Sequence, residues 1–191
     1  SEMCIRDRID DAIAAWNNYE AKRRTLDDPQ DIVRILRGAG VLNFRIVVNV
    51  GTFAQENAAR QEIQTLGPRA GQIDRVRWFK INKIQNWVDS VEQLKAIESP
   101  EGARAHFASR YRMIVERYRG EFFMLCWDEP GFRLTEDDGN WQVAKSSAQP
   151  DQFGRPGIGF EMDAAGASKL GELTRNNVNK PMAVLLDDEV Y

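Results

Sequence analysis

His106 is the single histidine of the chain, and the only cysteines, Cys4 and Cys126, lie far apart in sequence. A structural zinc site needs four such ligands at short, paired spacings, so these three do not make one. Cys126 falls inside the apolar run Phe122-Phe123-Met124-Leu125-Cys126-Trp127, the setting of a buried, inert thiol. His106 has no Cys or Ser partner in a recognisable motif, and its polar helical stretch beside Arg104 reads as surface. Carboxylate pairs occur at Asp27/Asp28, Asp137/Asp138 and Asp187/Asp188. All three sit at expected caps or turns, where Asp is favoured for local hydrogen bonding. The run Gly154-Arg155-Pro156-Gly157-Ile158-Gly159 has the look of a phosphate loop, but such loops follow a strand and open a helix. This one precedes a strand and reads as a flexible joint. No nucleophile, base and oxyanion donor assemble. The expectation is no catalytic residue, no metal ligand, no cofactor and no enzyme.

Binding chemistry is the alternative. The segment Arg110-Tyr111-Arg112 to Arg117-Tyr118-Arg119 interleaves aromatics with cations, but Glu116 and Glu121 interrupt it, so it reads as a helix with one solvated face. Four of the five tryptophans, Trp78, Trp87, Trp127 and Trp141, fall in the middle of the chain. Two readings stand side by side: an aromatic-lined groove for extended peptide, with Phe122, Trp127, Phe132 and Trp141 as contacts, or packing of the segment's own core.

The elements that must position these residues follow from periodicity. The chain has 191 residues, 42% hydrophobic and 29% charged, a composition that excludes wholesale disorder. Its 26 Lys and Arg against 29 Asp and Glu leave a net charge of −3, which speaks against nucleic-acid binding. No apolar run approaches the roughly 20 residues a membrane helix needs. Ser1 to Arg8 read as a non-native scar, and both ends read as cut. Helices are expected at 9–24, after Asp27-Asp28-Pro29 up to Gly38, at 54–66, 84–98, 100–118 and 164–178; Ser99-Pro100 and Asp163 serve as starts. Strands are expected at 41–50, 76–81, 121–127, 132–135, 141–145, 157–162 and 182–187. Residues 146–156, rich in Ser, Pro, Gln and Gly, read as a linker. The expected class is α+β, with 41–50, 157–162 and 182–187 sharing one sheet.

Two blocks carry a family resemblance. The first runs Gly154-Arg155-Pro156, Ile158-Gly159-Phe160-Glu161-Met162, Gly166-Ala167, Leu173-Thr174-Arg175-Asn176-Asn177 and Lys180-Pro181-Met182-Ala183-Val184-Leu185-Leu186-Asp187. The second is Gly38-Ala39-Gly40-Val41-Leu42-Asn43-Phe44-Arg45-Ile46-Val47. Both resemble SecD of the bacterial Sec protein translocase, in its first periplasmic domain, from either a separate SecD or a SecD–SecF fusion. Leu173, Thr174, Asn176, Ala183, Leu186 and Asp187 are the motif residues. Asn179 stands where the family usually has Gly.

The resemblance implies a ferredoxin-like, split-βαβ base with an inserted α+β head. Along the chain this gives 9–51 as the first part of the base, 52–150 as the head and 151–191 as the second part. It implies a segment on the periplasmic side of the inner membrane, with membrane helices outside it. It would contact emerging preproteins and assist export driven by the proton-motive force, with SecF and SecYEG as partners. A head swinging on Gly51 and on Gly154, Pro156 and Gly157 is expected. The alternative is a stand-alone extracytoplasmic peptide- or protein-binding module.

Overall fold

Alternation from Leu42 onward becomes β1 (Leu42–Ile46), the first element of the computed structural model, which describes residues 41–150 and 156–191. The expected helices at 9–24 and before Gly38, and the Gly154 joint, lie outside the described residues. The order continues α1 (Glu56–Leu66), β2 (Val76–Ile81), a 3-10 turn (Ile84–Trp87), α2 (Val91–Ala96), α3 (Pro100–Tyr111), β3 (Val115–Tyr118) and β4 (Glu121–Trp127). Then come β5 (Arg133–Leu134), a 3-10 turn (Glu136–Asp138), β6 (Val143–Pro150), β7 (Pro156–Met162), α4 (Ala164–Asn176), β8 (Met182–Leu186) and β9 (Glu189–Val190). The class is α+β, as expected.

Seven strands form one sheet in the order β3-β4-β2-β9-β8-β1-β5. Among the described strands, only β2 and β9 pair parallel. β1 and β8 pair antiparallel from Leu42↔Leu186 to Ile46↔Met182, so the expected pairing of 41–50 with 182–187 is present. Beyond Ile46 the chain turns back to β4: Val47 bridges Cys126, and the Val48 amide donates to the Leu125 carbonyl at 3.0 Å. The run β4-β2-β9-β8-β1 thereby closes on itself. Strands expected in a head and strands expected in a base share this one sheet.

Strict alternation sorts side chains to opposite faces. Val47, Phe79, Ile81, Met124, Cys126, Ala183, Leu185 and Val190 share one core with Ile97, Ala103 and Phe107 of the α2–α3 layer. Val48, Trp78, Phe123 and Leu125 pack with Ala59 and Ile63 of α1. Phe44, Ile46 and Leu134 enclose Leu173 of α4 in a third core. Each helix therefore covers its own patch of sheet.

Several expectations are corrected. β7 pairs with β6 in a separate two-stranded ribbon, so 157–162 is not in the main sheet and the split-βαβ unit is not formed by β7, α4 and β8. Most of the expected linker is that ribbon, because a polar Ser/Gln stretch still satisfies its backbone by pairing. The expected 100–118 helix ends at Tyr111: Arg112 takes φ 57°, and the β-branched Ile114 and Val115 lead into strand. β3 turns into β4 through Arg119 and Gly120, both at positive φ, as a two-residue hairpin requires. The 84–98 helix splits at Ser90, whose hydroxyl accepts from the Gln93 amide and starts α2. His106 is half-buried rather than a free surface group, and its Nε2 lies 2.8 Å from the Trp87 carbonyl.

Candidate functional site

A groove of about 910 Å³ lies beside β2. Its floor is Trp78 and Phe123, and the loop after α1 supplies Pro68, Arg69 and Gly71. The far rim is the β8–β9 turn, Asp187 and Asp188, followed by Glu189. That turn is a two-residue hairpin with φ 51° and 62°, a conformation Asp tolerates better than most side chains. Asp187 also accepts from the Val41 amide at 2.9 Å, which anchors the entry to β1. Lys80 reaches across to Glu121 at 2.6 Å and Glu189 at 3.7 Å. The hydrogen bond that Lys80 donates to Glu121 chiefly raises the Lys80 pKa above its ordinary value. The indole Nε1 of Trp78 is buried with no hydrogen-bond partner among the described residues.

The four aromatic contacts expected from the sequence do not form one surface. Phe122 is buried in the core under α3. Trp127, Phe132 and Trp141 gather around the third core, half-buried, with Trp127 and Phe132 centroids 5.3 Å apart. Trp141 donates its indole N–H to the Thr135 carbonyl at 2.7 Å. All four contribute to internal packing.

The motif residues divide similarly. Leu173 and Ala183 are core, and Leu186 is buried at the end of β8. Thr174 is exposed and bonds back to the Leu170 carbonyl at 2.9 Å. Asn176 is exposed, whereas the next residue, Asn177, is buried. Asn177 donates to the carbonyls of Gly131 and Leu173, each at 2.9 Å, and accepts from Lys180 at 3.0 Å. It ties the end of α4 to the loop before β5. The signal was in the sequence, since a Leu-Thr-x-x-Asn run starting at Leu173 ends on Asn177. Of the expected hinges, Gly51 has φ 76° with open space at its Cβ position, and Pro156 and Gly157 begin β7.

Two ionic sites, one buried and one half-buried, tie the strands to their neighbours. Glu116 of β3 is fully buried and accepts from Arg60 of α1, from Arg104 of α3 at 2.6 and 2.9 Å, and from Gln64 at 3.0 Å. Asp128, at the end of β4, is held by Arg45 and Arg133. Burial raises its pKa, but the hydrogen bonds from Arg45 and Arg133 outweigh this and leave it below the ordinary carboxylate value. Arg45 also stacks over Phe79 at 4.6 Å. These roles were invisible in sequence, because they depend on which strands become neighbours.

Residues 138–191 match the family model described as "SecDF, P1 head subdomain". The protein translocase subunit SecD of Sebaldella termitidis is 47% identical over 45 residues, which cover 24% of this chain and 11% of that protein. The SecDF subunit of Thermus thermophilus is 43% identical over 49 residues, 26% of this chain and 7% of that protein. SecD of Calditerrivibrio nitroreducens is 48% identical over 40 residues, 21% of this chain and 8% of that protein. The aligned parts thus span about a tenth of these relatives. No solved structure matches the chain. The class defined is an α+β segment related to protein-translocase subunits. Its carboxy-terminal part, from the second 3-10 turn to β9, is similar to SecD and SecDF subunits. The matching family is named for a head subdomain, and its span overlaps the 151–191 stretch that the sequence reading placed in a base. Among the described residues, no helix is long and apolar enough to cross a membrane.

Proposed function

We propose that this chain is an extracytoplasmic part of a SecD-like subunit that contacts preprotein segments emerging from the SecYEG channel. It works beside SecF in export driven by the proton-motive force, and has no catalysis of its own. The subunit sits in the bacterial inner membrane, with this segment on the periplasmic side. The observation that carries the reading is the SecD-type match over 138–191. That stretch includes β8 and β9, the two strands that join both halves of the sheet and form one rim of the groove. The sheet supports a contact role, since ion pairs and three cores fix its strands and leave a groove beside an incompletely paired one.

The test is photocrosslinking in the full-length protein with a secretory precursor stalled in transit. Probes placed one at a time on the groove, the β6–β7 ribbon and the outer face of α3 should give precursor adducts from at least one surface, lost when the precursor is released. No adduct from any surface, with the protein present and active in export, overturns the reading.

A further inference from the structure

β2 is paired along the whole of one edge and along only part of the other. Arg75 and Asp128 are opposite each other, with the Asp128 amide bonded to the Arg75 carbonyl at 2.7 Å. In an antiparallel pair the hydrogen-bonded positions recur every second residue, so Arg77 and Phe79 also direct their backbone groups at β4. The backbone N–H and C=O of Val76, Trp78 and Lys80 then face the other way. On that side β9 meets only Lys80 and Ile81, and the Asn82 amide reaches the Val190 carbonyl at 2.8 Å. β9 is two residues long and the Asp187–Asp188 turn ends it. Val76 and Trp78 therefore present a bare edge, unpaired among the described residues, and the groove runs alongside it. The lane is about 13 Å long at the usual strand rise. A bare edge in the middle of a sheet is a template for another strand.

We infer that this stretch of β2 takes up an extended polypeptide segment carrying Lys or Arg as an added strand in the β9 lane. The inference rests on the translocation reading above and names how and where the chain is held. Main-chain bonds at Val76 and Trp78 supply affinity without reading sequence, which suits a binder of many different extended chains. Charge selects the side chains. The groove is lined by five carboxylates, Glu62, Glu121, Asp187, Asp188 and Glu189, against three cations, Arg69, Arg77 and Lys80. Trp78 and Phe123 form an apolar floor for alternate residues of the guest.

The test uses the full chain and a fluorescent peptide of about ten residues alternating valine and lysine. Binding is read by anisotropy and by amide hydrogen exchange. The peptide is expected to bind and to slow exchange at the Val76 and Trp78 amides by roughly tenfold or more. The same peptide N-methylated at alternate residues, and one with glutamate for lysine, should each bind at least roughly fivefold more weakly. Asp188→Asn, which keeps a residue tolerant of positive φ, should weaken the lysine peptide by about two- to threefold. Failure to bind, binding without protection of these two amides, or equal binding of the N-methylated peptide overturns the inference. So does strong protection of both amides in the free chain, which would show the edge already paired. The crosslinking experiment separates the two claims. Adducts from other surfaces but none from Arg77 or Lys80 sink strand addition and leave the translocation reading standing.

Discussion

Gly102 gives the sharpest test of the packing that frames the site. It lies in the first turn of α3, and its amide donates to the Ser99 hydroxyl at 3.0 Å, the cap that starts the helix. A Cβ built at this position would lie 1.8 Å from the Ala96 carbonyl oxygen and 2.8 Å from the Ser99 hydroxyl. An ordinary carbon–oxygen contact is about 3.3 Å, so the end of α2 must retreat by roughly 1.5 Å. Overpacking of this kind costs about 1–3 kcal/mol. Losing the Ser99 cap adds about 1 kcal/mol, and the better helix propensity of Ala returns up to about 1 kcal/mol. Gly102→Ala should therefore destabilise the chain by about 2 kcal/mol. Gly171→Ala in α4 is the matched comparison: the nearest atom to its Cβ position is the flexible Arg175 Nη2 at 3.9 Å. There the same substitution should stabilise by up to about 1 kcal/mol. Urea unfolding followed by tryptophan fluorescence, at unchanged slope, measures both. A Gly102→Ala chain as stable as the parent, or more so, refutes the close approach of α2 and α3.

Further expectations follow from the cores and ion pairs. Leu173→Ala should cost about 2–5 kcal/mol, because Leu173 fills the core between α4 and β1; a loss under about 0.5 kcal/mol by urea unfolding would place it in solvent. Glu116→Gln should cost about 2–4 kcal/mol, below the full penalty for breaking a buried pair, because Arg60 keeps Glu56 at 2.7 Å and Arg104 is 39% exposed. Double-mutant cycles with Arg60→Met and Arg104→Met should show coupling, and strict additivity would mean the pairs do not form. Burial pushes the Cys126 thiol up to about 12. The unfolded thiol ionises near 8.5, so stability should fall as pH rises from about 8.5 toward 12, and Cys126→Ala should flatten that slope. In a Cys4→Ser background, thiol labelling at pH about 8 should proceed only as fast as the chain unfolds.

Strong local signals were legible and neighbour-dependent ones were not. Leu42 to Val50 alternates cleanly and Met182 to Leu186 is apolar, so β1 and β8 could be read, and their complementary burial made them partners. Ser99-Pro100 and Asp163 marked helix starts that the structure keeps. α3 was over-extended because Arg110 to Arg119 carries no Gly or Pro until Gly120 to break the pattern. The break is Arg112 in the left-handed region, held by its own amide bonded to the Ala108 carbonyl at 3.1 Å. β9 is too short for any periodicity to show, yet it decides where β2 is left bare. The scatter of the four aromatic contacts has the same cause. Aromatic content drew attention to Phe122, Trp127, Phe132 and Trp141, which the sheet consumes in packing. The groove rests instead on Trp78 and on a turn that looked like an ordinary acidic pair.

The sheet also constrains motion. A swing of residues 52–150 on Gly51 and on the 154–157 joint would have to open the β2–β9 pair, the Val47–Cys126 bridge and the bond from the Ile114 amide to the Val48 carbonyl. It would also split a core in which Val47, Ala183, Leu185 and Val190 interleave with Phe79, Ile81, Met124 and Cys126. Gly51 can absorb a backbone change, but freedom at one residue does not lower the cost of parting a packed sheet. Movement of the described sheet is therefore expected as one unit, with any drive delivered through its ends. Amide exchange discriminates. The Asn82 amide crosses between the two segments to Val190, whereas the Leu125 amide bonds to Ile114 within residues 52–150, at 3.0 Å. If the sheet moves as one unit, both amides open with the same free energy and respond equally to urea. If Asn82 opens several kcal/mol more easily than Leu125, in a step exposing the Val47–Val190 core but not the α1 core, the two segments part from each other and the hinge at Gly51 is the working element.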